Sequence, residues 1–174
     1  MPTTATRARS ATALHPVRSR RAGTSPRRAY APPRLSLAIQ STVNAAEVPN
    51  RSAIARIAIA VVERDTEVTF RFVDGREARA LNRRYRGRDY ATNVLTFVYD
   101  DGVSLTGDIV LCAPVIAREA RRQRKTLRAH YAHLVIHGML HLQGYDHERD
   151  GDAARMEARE IALLRELGFE NPYA

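Results

Sequence analysis

Three histidines spaced by four and then six residues, His137, His141 and His147, with Gly144 between the last two, constrain this chain more than any other feature. Residues four apart on an α-helix project from one face about a turn apart. Gly144, three residues past His141, supplies the left-handed or tight turn that ends a helix and swings the chain back, so that His147 returns to the same point. The pattern predicts a helix over about 126–142 with a metal site on it and on the following turn. Three neutral imidazoles with one open position are a catalytic zinc arrangement, whereas closed structural sites take four ligands rich in cysteine. The chain has one cysteine, Cys112, so no such cluster exists.

The spacing matches the long metallopeptidase signature H-E-x-x-H-x-x-G-x-x-H at every histidine and at the glycine, but Gly138 stands where that signature has glutamate. A zinc peptidase needs that carboxylate as general base and proton shuttle to the leaving amine. Glycine cannot supply it, which disfavours peptide hydrolysis and leaves a phosphodiester chemically accessible. Around the three histidines, His133 lies one turn before His137 and is a hydrogen-bond donor supporting a metal ligand, a substrate contact, a fourth ligand or a packed histidine. Asp146 either accepts an imidazole N–H and fixes a tautomer or caps the following turn. His130 lies further away and packs or is solvated.

The charge of the chain is uneven. The first 34 residues hold eight arginines, five of the eight prolines and no acid, and they have few large apolar side chains to offset the entropy of ordering. They are expected to be disordered, as a basic RNA-touching tail, a transit peptide or an over-extended translation start. The remainder carries 20 basic against 19 acidic residues, so its surface is nearly neutral overall. No apolar run approaches the ~20 residues of a membrane span. With a lone cysteine, a reducing, soluble compartment fits best.

From Leu35 the texture becomes periodic. Leu35, Leu37 and Ile39 alternate as in a half-buried strand, Ile54, Ile57, Val61 and Val62 recur at helical spacing after an Asn50 or Ser52 cap, and Val68, Phe70 and Phe72 alternate again. Asp74-Gly75 turns the chain into a helix through Ala78, Leu81 and Tyr85, followed by a polar loop over 86–93. Strands at 94–99 and 108–112 flank the turn Asp100-Asp101-Gly102, and Pro114 opens another helix. A last helix near 152–167 presents Met156, Ile161, Leu164 and Leu167, with Gly168 as its stop. The order predicts one α+β domain over 35–174, a mixed β-sheet covered by helices.

The run His137-Gly-Met-Leu-His141-Leu-Gln-Gly144-Tyr145-Asp146-His147 resembles that of the YbeY family of bacterial single-strand-specific metallo-endoribonucleases. Leu81-Asn82-Arg83-Arg84-Tyr85-Arg86-Gly87-Arg88-Asp89, Thr92-Asn93-Val94-Leu95-Thr96-Phe97 and Gly107-Asp108-Ile109-Val110 support the likeness, which spans roughly 35–173. Thr96 stands where serine is commoner in that family, and the Arg-rich leader precedes the usual start. The resemblance implies one zinc ion (Zn2+) on His137, His141 and His147, with Arg86 and His141 as catalytic residues. It also implies a zinc-dependent endoribonuclease domain that matures the 3′ end of 16S rRNA and serves ribosome quality control. The implied partners are single-stranded RNA, the small ribosomal subunit, an Era-like assembly GTPase and a small-subunit ribosomal protein, with no membrane. The implied location is the bacterial cytoplasm, or an organelle if the leader is a transit peptide. Arg86 has physical support of its own, because arginine binds phosphate oxygens bidentately and stabilises charge developing on them. Asn82, Arg84, Arg88, Asp89 and Asn93 are expected along the same groove. Two alternatives stay open: a non-catalytic zinc-containing ribosome-assembly factor, and a zinc hydrolase of other substrates.

Overall fold

The computed structural model describes residues 32–146 and 150–174. The expectations for the leader before residue 32, and for His147, lie outside the described residues.

Pro32–Ala174 forms one compact unit. The alternating stretches become the strands of a mixed sheet: β1 (Leu35–Ser41), β2 (Thr66–Val73), β3 (Val94–Asp100) and β4 (Leu105–Cys112), in the order β1-β2-β4-β3. β1, β2 and β4 run parallel, and β3 pairs antiparallel with β4 at the edge. The helices are α1 (Arg51–Val61), α2 (Gly75–Arg86), α3 (Ala113–Arg122), α4 (Leu127–Leu142) and α5 (Asp150–Glu166). The α+β class and the sheet covered by helices are as expected.

Local chemistry sets the helix ends. The side chains of Asn50, Asp74 and Thr126 accept from the N–H groups of Ala53, Glu77 and Ala129, each satisfying an orphan donor of a first turn. Asp74-Gly75 is therefore a cap and first helical residue rather than a separate turn. A 3-10 turn at Ala45–Glu47 was not expected, and β4 starts three residues earlier than the apolar run suggests. Its Leu105-Thr106-Gly107 segment pairs with Thr66-Glu67-Val68, and a Cβ on Gly107 would fall 2.3 Å from the Phe97 carbonyl oxygen. That close approach accounts for a glycine inside the strand.

Both sheet faces are buried. Phe70, Phe72, Ile109 and Leu111 pack against α1, α4 and α5, while Val73, Leu95 and Val110 pack under Ala78 of α2 and Val115 of α3. On α5 the buried positions are Met156, Glu160, Leu163 and Leu164; Ile161 and Leu167 of the expected stripe are only partly buried. α4 sits at the centre. From His130 to Leu142 every residue is buried except His133, His137 and His141, so solvent reaches this helix along a histidine stripe. Among the described residues no helix is long and apolar enough to cross a membrane.

Candidate metal centre

The side of α4 opposite the stripe fixes its depth. A Cβ on Gly138 would lie 2.8 Å from Ile109 Cγ2, so α4 packs directly on β4 at this residue. The position that carries the general base in a metallopeptidase points here into the sheet, not toward the histidines. At its far end the helix closes as the sequence predicts. Gly144 has φ of 91°, and the Tyr145 N–H donates to the Leu140 carbonyl at 3.0 Å.

That turn brings the Tyr145 carbonyl to within 3.0 Å of His141 Nδ1. A carbonyl only accepts, so Nδ1 carries the proton. His137 Nδ1 lies 2.8 Å from Glu160 Oε1. Burial alone would push the Glu160 carboxyl up, but hydrogen bonds from His133, His137 and Tyr173 outweigh it and hold it at about 2. An ionised carboxylate likewise only accepts, which fixes the proton of His137 on Nδ1 as well. With both Nδ1 atoms turned to these acceptors, the two Nε2 atoms face one another 3.1 Å apart.

This arrangement fits a metal. Two nitrogens bound at about 2.0–2.1 Å to one tetrahedral ion lie roughly 3.3 Å apart, and ligating histidines almost always donate their other N–H to a carboxylate or carbonyl. Among the described residues no group of three or more His, Cys, Asp or Glu side chains is placed to hold an ion; the third imidazole of the sequence motif, His147, lies outside them.

His133 is committed elsewhere. Its Nε2 donates to Glu160 Oε2 at 3.1 Å and lies 3.3 Å from the Tyr173 hydroxyl, so it backs the carboxylate that orients His137 and offers no nitrogen beside the pair. Glu160 and Tyr173 were not expected at the site. The carboxylate is fully buried in the assembled core and also accepts from the Tyr173 hydroxyl. Asp146 is exposed at the turn and lines a surface hollow with Gly144, Tyr145 and Arg155.

Arg86 ends α2, where a polar loop was expected. Gly87, with φ of 68°, stops the helix, and its N–H donates to the Arg83 carbonyl at 3.1 Å. Tyr85 meets Phe97 of β3 edge to face at 5.0 Å, which seats the helix end against the sheet edge. Arg86 thereby lines a cavity of about 190 Å³ with Thr92, Asn93, Val94, Thr96, His137 and His141. Asn93 is clamped there: its Oδ1 accepts from the Val94 N–H at 2.7 Å, and its Nδ2 donates to Glu119 Oε2 at 3.0 Å. Glu119 also accepts from the buried His130 Nε2 at 2.9 Å.

The rest of the expected groove residues do not join this cavity. Asn82 is fully buried and donates from Nδ2 to the Tyr90 carbonyl at 2.8 Å, so it shapes the loop rather than meeting a substrate. Asp89 is held by Arg79 in two hydrogen bonds of 2.8 and 2.7 Å, and the Arg84 guanidinium lies over the Tyr85 ring at 5.4 Å. Together these contacts fasten the end of α2 and the loop after it. Arg88 is exposed beside them.

Comparison with known proteins adds the lineage. Residues 39–168 match the family model described as Endoribonuclease YbeY. The chain is 54% identical over 144 residues to the Endoribonuclease YbeY of Aromatoleum aromaticum, covering 81% of this chain and 94% of that one. It is 53% identical over 139 residues to that of Nitrosomonas europaea, covering 80% and 85%. Its fold is similar to the solution structure of TM1509 from Thermotoga maritima, with a TM-score of 0.50, 25% identity and coverage of 77% and 91%.

Proposed function

The chain belongs to the endoribonuclease YbeY family, and we propose that it cleaves single-stranded RNA with one zinc ion held by His137, His141 and His147. The observation that carries this reading is the pair of imidazole Nε2 atoms, 3.1 Å apart, sharing one small cavity with Arg86. When bound, such an ion supplies Lewis acidity, making water more acidic and polarising a phosphoryl oxygen. Arg86 grips the same phosphate bidentately and stabilises the charge that builds on its oxygens. Glu160 and the Tyr145 carbonyl hold the rings in one tautomer and orientation, and Asn93 and Thr96 line the same cavity. The small cavity admits a phosphodiester and its sugars more readily than a duplex, which favours single strands.

Family membership supports ribosomal RNA as the substrate, with 16S rRNA 3′-end maturation and ribosome quality control as its setting. The small ribosomal subunit, an Era-like GTPase and a small-subunit ribosomal protein are the corresponding partners, in the cytoplasm.

The test is cleavage of matched single-stranded and duplex RNAs by the full chain, zinc-loaded or chelated, beside a peptide library. Chelator-sensitive cutting of the single strand supports the reading. RNA bound but left uncut, or robust chelator-sensitive proteolysis, overturns it. Two variants extend the test. Arg86→Ala lowers kcat on RNA by about 100- to 1000-fold, the usual loss for one preorganised donor to a developing anion, and leaves zinc content unchanged. Glu160→Gln weakens zinc affinity about 10- to 100-fold in a competition with a chromophoric chelator, because the amide no longer demands the Nδ1–H tautomer of His137.

A further inference from the structure

The turn between α3 and α4 carries a charge pattern that the cleavage site does not use. Arg118, Arg121, Arg122, Arg124 and Lys125 fall within eight residues, in a chain that is nearly neutral beyond its first 34 residues. The four arginines are exposed, and among the described residues none of them forms a salt bridge. The one acid in the stretch, Glu119, is engaged by Asn93 and His130. Lys125 donates to the Pro172 carbonyl.

Arg124 stands out in its backbone. It has φ of 55°, the only non-glycine among the described residues with a positive φ. Its N–H donates to the Arg121 carbonyl at 3.1 Å and the Lys125 N–H to the Ala120 carbonyl at 2.9 Å, the helix-ending motif that glycine normally occupies at no steric cost. Keeping arginine at that position stores strain in exchange for a side chain.

The turn connects to the metal centre. A cavity of about 450 Å³ is lined by Gln123, Lys125, Glu119 and Asn93 among others, and Asn93 also lines the cavity of His137, His141 and Arg86. His137 lies ten residues beyond Leu127, roughly 15 Å along α4. That is several times the ~3.4 Å step between stacked nucleotides.

Resting on the endoribonuclease reading, we propose that the α3–α4 turn is a second RNA-backbone site, where Arg121, Arg122 and Arg124 hold phosphates several nucleotides from the scissile bond. The strand passes Asn93 and crosses the larger cavity to reach them. Arginine suits this task because its planar fork engages phosphate oxygens without reading bases.

The experiment uses a fluorescent, nuclease-resistant 2′-O-methyl RNA 12-mer and the full chain, with affinity read by anisotropy across a salt series, beside cleavage of the unmodified 12-mer. Arg124→Gly removes the strained conformation, so it melts higher than wild type; it nevertheless lowers the slope of log K against log salt by about 0.7, as loss of one single-strand phosphate contact requires. The triple variant Arg121→Ser, Arg122→Ser, Arg124→Gly lowers the slope by about 2 and weakens binding about 50-fold at 0.15 M salt. Wild-type affinity and slope in the triple variant would overturn the inference, whatever its cleavage. Wild-type protein that binds the 12-mer but cuts no RNA would instead strike the endoribonuclease reading and leave the binding site standing.

Discussion

Replacing His141 by alanine is expected to remove zinc retention and RNA cleavage together, each by more than about 100-fold, while the protein stays folded. Partners that merely orient a ligating histidine contribute 10- to 100-fold, so a ligand itself contributes at least that much. The cost to stability is small by comparison. The ring is partly exposed, and its hydrogen bond to the Tyr145 carbonyl is worth about 1 kcal/mol. Metal content by mass spectrometry, RNA cleavage and thermal unfolding on the same preparation separate these effects. A folded variant that cuts RNA at the wild-type rate would show that the imidazole pair only packs.

The second large effect concerns Gly138. Alanine there gains helix propensity, about 1 kcal/mol, but its Cβ meets a branched methyl of Ile109 at 2.8 Å. Ile109 is fully buried, and a β-branched side chain cannot swing its Cγ2 away, so overpacking of about 1–3 kcal/mol prevails and Gly138→Ala is destabilised. Glutamate at the same position is far worse. Restoring the metallopeptidase signature would drive a carboxylate into the sheet, with a loss beyond roughly 4 kcal/mol, the range reserved for severe core lesions. Gly138→Glu is therefore expected in the insoluble fraction and without peptidase activity. Urea unfolding of Gly138→Ala, Ile109→Ala and the double variant checks the cause: the double variant should be less destabilised than the two single losses combined. Strict additivity would place the crowding elsewhere.

The same two residues show why much of the architecture was legible in the sequence. The α4 pattern has a period, a stop at Gly144 and a histidine stripe, all encoded locally, and the strands announce themselves by alternation. Gly138 was readable as a departure from a protease signature, although its contact with Ile109 depends on how deeply α4 beds on β4. Long-range partners were harder to see. Glu160 sits in Glu-Ala-Arg-Glu, a stretch that reads as solvated helix surface, and no local signal ties it to His137 23 residues earlier. One clue existed: Met156, Glu160, Leu163 and Leu164 follow helical spacing, which puts a carboxylate on a buried stripe, and buried carboxylates need partners.

Asn82 shows the opposite failure. Its place in an Arg-rich, motif-bearing segment suggested substrate contact, whereas its burial makes it a brace for the loop that follows Arg86. The helix propensity of Leu81 to Arg86 was visible, but which face of α2 turns to the sheet is set by packing on Val73, Leu95 and Val110, residues distributed over three strands. Arg86 falls at the cavity because Gly87 ends the helix and Tyr85 docks on Phe97, two facts of which only the glycine could be anticipated from sequence.

The coordination sphere of the bound metal tests the account most directly. X-ray absorption at the zinc edge of the full, zinc-loaded chain should give three imidazole nitrogens at about 2.0–2.1 Å and one oxygen neighbour without an imidazole's outer-shell scattering. Four imidazoles, a sulfur shell, or a spectrum unchanged by His137→Ala would contradict it.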